Sequence, residues 1–132
     1  MSVTYSSYGG VTYCFGVSDA NTITPFDGTA VTATPSPGNI VNPSVIKSTT
    51  NANDMLIGTL SQGNDTVPYI SAGTGFTQVA APLDTGAGGL NNETGFTEYK
   101  IVSSSGSQTI VVTDSSSSSV WSMIGDAVEQ GS

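Results

Sequence analysis

An all-β fold, a single antiparallel β-sandwich of eight or nine short strands with jelly-roll-like connections, follows from three features of the sequence. Apolar residues gather in short β-branched and aromatic runs. Those runs recur at a spacing of about ten residues, the rhythm of strands and tight turns. Sixteen glycines and six prolines separate them, leaving few windows in which an apolar 3.6-residue period can be sustained. Strands are predicted over residues 2–8, 11–17, 29–34, 44–47, 54–61, 75–80, 94–103, 107–113 and 119–128.

The first two strands lie in "SVTYSSY" and "VTYCFGV". Alternation places Val11, Tyr13, Phe15 and Val17 on one face, with Thr12, Cys14, Gly16 and Ser18 on the other. Tyr13 and Phe15 are therefore expected core anchors. Cys14, the single cysteine, is read as a small buried hydrophobe, since no cation neighbours it in sequence to activate a thiol. Residues 1–10 form either a first strand or an arm, in which Val3, Tyr5 and Tyr8 would add to the sheet edge of a neighbouring subunit. Residues 11–132 form the sandwich domain.

"TATPSPGNIVNP", residues 32–43, contains three prolines and reads as a crossing between sheets or as an edge. "DMLIGTL" and "TIVVT" are evenly apolar, as central strands covered on both faces would be. Phe76 and Tyr99 are further expected core anchors. In "TGFTEYKIV", Thr97, Tyr99 and Ile101 share a face, leaving Glu98 and Lys100 side by side on the solvent side. "DTGAGGLNN", residues 84–92, reads as an exposed tip. "GSQTIVVTDSSSSSVWSMIGDAV" reads as a hairpin whose serines form the turn. Its last strand carries Trp121, Met123, Gly125 and Ala127 on one face. Trp121 is assigned to the core, with an exposed binding platform and an interface contact as the competing assignments.

The residue inventory narrows the function classes. Charged residues are only 9% of the chain, so hydroxyl and amide side chains carry its polarity. Net charge is −8 with two lysines as the only cations, which opposes nucleic acid and anionic membranes alike. No run is long enough to span a bilayer as a helix. There is no histidine, so neither a zinc site nor a histidine-activated serine is expected, and no cofactor is assigned. Asp19, Asp27, Asp54, Asp65, Asp84, Asp114 and Asp126 mostly adjoin turns, and no calcium loop is spelled out. Glu93 and Glu98 are the pair a glycosidase reading would use. Asn64 and Asn92 begin sequons. The reading is of a non-enzyme.

The opening "MSVTYSSYGG" has neither a basic nor an apolar leader segment. With an exterior-type composition, that predicts either a leader removed earlier or a route outside that bypasses secretion, such as assembly into a virus particle.

Several segments carry a resemblance to a known module. They are Gly16-Val17-Ser18-Asp19 with Thr24-Pro25-Phe26-Asp27, then Asn53-Asp54-Met55-Leu56-Ile57-Gly58, Gly75-Phe76-Thr77 and Glu98-Tyr99-Lys100, ending in the serine-rich turn into Trp121. Residues 11–129 resemble a β-sandwich module that recurs in phage tail-fibre and virion-surface proteins and in secreted bacterial surface proteins. That module often appears in tandem and often has tryptophan where this chain has Phe76. The resemblance implies a structural or adhesive role.

Three functions follow as expectations. The first is a virion-surface structural protein, a head-decoration or fibre-like subunit partnered by itself and by a capsid or fibre protein. The second is a secreted, extracellular adhesin or filament subunit. The third is a carbohydrate-binding module that meets surface glycans through Tyr5, Tyr8, Tyr69 or Trp121.

Overall fold

A computed structural model describes residues 11–35, 42–63, 70–84, 93–115 and 120–131. Ten strands form antiparallel sheets, with no helix among the described residues, and the expected all-β sandwich is the architecture found. The strands are β1 (Val31–Ala33), β2 (Ser44–Thr49), β3 (Met55–Gly63), β4 (Ile70–Ser71), β5 (Thr77–Gln78), β6 (Leu83–Asp84), β7 (Glu93–Ile101), β8 (Gly106–Val111), β9 (Thr113–Asp114) and β10 (Trp121–Val128).

The large sheet runs in the order β1-β10-β3-β7-β5, with β6 also pairing β7. Opposite it lie β2 paired with β8, and β4 paired with β9 just beyond the end of β8. The register of β3 puts Leu56, Gly58, Leu60 and Gln62 on the inner face and Met55, Ile57, Thr59 and Ser61 on the outer one. β10 places Trp121, Met123, Gly125 and Ala127 inward, the face read from the sequence. These residues meet Val45, Ile110, Val112 and Ile70 from the opposing strands, forming one core. A Cβ on Gly125 would stand 2.5 Å from Val45 Cγ2 and 2.8 Å from Ile110 Cδ1, so this glycine sets how closely the layers approach.

Several sequence expectations change. Residues 11–17 do not pair as a strand; they run as a strap over the outer face of the large sheet. The alternation is real, because Val11 and Tyr13 both lie against Gly95 of β7, but side chains rather than a backbone ladder fasten the segment. Cys14, on the opposite side of the strap from Tyr13, is exposed rather than buried. The expected 107–128 hairpin is instead a passage between sheets, since β8 pairs with β2 while β10 lies between β1 and β3. β8 is not covered on both faces: Ile110 is buried and Thr109 is exposed. β1 is an edge strand of the large sheet and β2 belongs to the opposing one, while residues 36–41 of the predicted 32–43 crossing lie outside the described residues. Val3, Tyr5, Tyr8, Asn64, Tyr69, Asn92 and most of the predicted 84–92 tip lie outside the described residues, as do Ser116 to Ser119.

Candidate functional site

The strap is tied at both ends. At one end the Tyr13 hydroxyl donates to the Gly95 carbonyl at 2.6 Å and accepts the Leu83 N–H at 3.0 Å. Gly95 has no side chain, and a Cβ there would come within 2.7 Å of Val11 Cγ1. At the other end Asn21 N–H donates to the Glu129 carbonyl and Gly131 N–H to the Asp19 carbonyl. Between these ties the strap stands off the sheet, and a cavity of about 630 Å³ opens beneath it.

Phe15 and Val17 from the strap face Met55, Tyr99, Ile101 and Val128 from the sheet across this space. Asp19, Asn53, Gln78, Glu129 and Gln130 bring polar groups to it. Glu129 is held in place: its Oε2 accepts from Asn21 Nδ2 at 3.0 Å and from the Thr24 hydroxyl at 3.2 Å.

The five expected core anchors therefore divide. Trp121 is 8% exposed and belongs to the core, which removes it as a surface platform. Phe76 packs against that core, with Lys100 Nζ 5.5 Å from its ring centre. Tyr13 is half-buried and anchors the strap to the outer face. Phe15 is 40% exposed and Tyr99 half-buried, and both line the cavity instead of the sandwich interior. Tyr99 lies on the outer face of β7 and Phe15 on the side of the strap that faces it, and alternation alone does not tell which of two apolar faces is the closed one.

Titratable groups cluster elsewhere, inside the protein. Lys47 is 2% exposed; its Nζ lies 3.1 Å from Asp126 Oδ1 and donates to the Thr29 carbonyl at 2.8 Å. Nearby, Asp27 accepts from the Thr50 N–H and, at 3.0 Å, from the Thr50 hydroxyl. Burial works to raise the Asp27 pKa, but these bonds, its contact with Asp54 and the charge of Lys47 hold it below the usual carboxylate range. Asp54 faces it from full burial, with the Gln130 backbone N–H as its other polar neighbour. Burial first, and then the adjoining Asp27 carboxyl, push Asp54 up to about 6. The arrangement is that of an acid pair in which Asp54 holds its proton up to about pH 6 while Asp27 is ionised.

Glu98 corrects the sequence reading most sharply. Instead of sitting beside Lys100 in solvent it is wholly buried between the sheets. Its Oε2 accepts the Gly73 N–H at 2.8 Å, its Oε1 has no partner, and burial pushes its carboxyl up to about 7. Glu93 and Glu98 also fail as a catalytic pair. Five residues along one strand separates them by about 17 Å and turns them to opposite faces. Inverting glycosidases need about 6.5–9.5 Å, and retaining ones less. Among the described residues no three His, Cys, Asp or Glu side chains gather to hold a metal ion.

Neither the acid pair nor the Lys47–Asp126 contact is legible in the sequence, because each joins residues far apart in the chain. No known protein family, curated protein or solved structure matches this chain.

Proposed function

We propose that this chain is a non-enzymatic structural subunit of a virus-particle exterior, acting by contact with copies of itself and with a capsid or fibre protein. One observation carries the reading. On the large sheet the strap covers β7, whereas among the described residues nothing packs over the outer side of β1, β10 and β3. The exposed residues there are Thr32, Thr59, Ser61, Ser122 and Ile124, with Val120 alongside. Ile124 is 52% and Val120 54% exposed. In a chain of net charge −8, this pleated face is dominated by hydroxyls and β-branched side chains; its two carboxylates are held, Asp126 by Lys47 and Glu93 by the Ser61 hydroxyl, so another surface can settle there with modest desolvation cost. Charge repulsion elsewhere limits association to that face.

The resemblance to a module of virion-surface and secreted surface proteins, together with the exterior-type composition, supports work on an outer surface, and the particle is the setting put forward for it. Immunogold labelling of material from the native source tests this. Label on the outside of purified particles is the expected result. Label on cell-surface filaments would replace this reading with an adhesin or filament subunit.

A further inference from the structure

We propose that the cavity beneath the strap is a binding site for a neutral oligosaccharide. Its volume, about 630 Å³, falls within the range of small-molecule sites. Its walls suit the two-sided chemistry of a sugar. A pyranose ring presents a flat C–H face that settles on aromatic and aliphatic surface, and Phe15 and Tyr99 supply rings beside Met55 and Ile101. Around its edge the same sugar presents hydroxyls, each both donor and acceptor. Asn53, Gln78 and Gln130 answer with carboxamides that likewise do both, and Asp19 and Glu129 with acceptors. Glu129 is already oriented by Asn21 and Thr24, so binding need not freeze that side chain.

Charge selects among ligands. No lysine or arginine lines the cavity, while two carboxylates do, which turns away sulfated, sialylated or phosphorylated sugars. Phe15 is central because its ring is 40% exposed on the strap, where it serves no part of the sandwich core. A ring left open to water at the mouth of a polar-rimmed cavity is better explained by a ligand than by folding. The site adjoins the open sheet face but shares none of its residues, so sugar binding and subunit contact can be separated by mutation.

The test is a titration of the isotopically labelled full chain with maltohexaose, cellohexaose and hexa-N-acetylchitohexaose, followed by amide ¹H–¹⁵N shifts. At least one sugar should give saturable shifts confined to residues 15–20, Asn53, Gln78, Tyr99 and 128–130. Phe15→Ala should weaken binding about tenfold, the scale of one lost ring contact, and Phe15→Trp should restore it. Neither substitution should move the melting temperature appreciably, and Ile124→Asp should leave the shifts unchanged. The proposal is overturned if none of the three sugars shifts these amides at millimolar concentration. It is equally overturned if Phe15→Ala binds like wild type, or if only oligolysine occupies the cavity.

Discussion

Glu98 and Asp54 make stability depend on pH in a direction opposite to that of most carboxylates. An acid whose pKa is raised on folding binds its proton more tightly in the native state, so stability falls as pH rises from the unfolded pKa to the folded one. For Glu98 that window runs from about 4.5 to about 7, and for Asp54 from about 4 to about 6. Asp27, with its pKa lowered, acts in the reverse sense and loses its contribution only as pH falls below the ordinary aspartate range. Denaturant midpoints should therefore be highest near pH 4.5 and decline towards pH 7. In Glu98→Gln, whose amide keeps an acceptor for the Gly73 N–H, the part of that decline lying above pH 6 should largely disappear. A wild-type midpoint that rises between pH 4.5 and 7 would contradict the assignment of neutral buried carboxyls. None of this is legible in "TGFTEYKIV", where alternation puts Glu98 beside Lys100 in water. The sequence does not show that β7 is central in its sheet and walled in from both sides.

At the scale of elements, the fold depends on glycines where layers touch. Gly125→Ala inserts a methyl group against Val45 and Ile110 and should cost about 1–3 kcal/mol of unfolding free energy, read from urea denaturation. The strap depends on one phenol. Tyr13→Phe keeps the ring on Gly95 but loses its bonds to Gly95 and Leu83, and should cost about 1 kcal/mol. Hydrogen exchange should then quicken in residues 11–20 before it does in β3 or β10; uniform exchange would show that the strap is not a separate unit. The long strands were readable because their apolar period is strong: 54–61 became Met55–Gly63, and 119–128 became Trp121–Val128. The two-residue strands at Ile70 and Leu83 were not, since two residues carry no period. Residues 11–17 have the pattern of a strand and lie flat on a sheet, yet make no ladder. Periodicity reports which side chains are covered, not whether the backbone is paired.

For the whole molecule, the sandwich combines an acidic surface with a pleated face rich in hydroxyls, on which Asp126 is paired to Lys47 and Glu93 is held by Ser61. Sequence composition foretold the first through its scarcity of cations. The second became visible only when register placed Thr32, Ile124 and Thr59 side by side across three strands. The cavity was equally hidden, because its walls come from residues 15–20, β3, β5, β7 and the end of β10. The role proposed for this protein is surface contact through the open face. Sedimentation equilibrium of wild type and Ile124→Asp tests that most directly, because the side chain is half exposed and its change leaves the core intact. The wild type should associate as its concentration rises, and the variant should be monomeric with an unchanged melting temperature. A wild type that stays monomeric throughout, or a variant that associates equally well, would contradict that role.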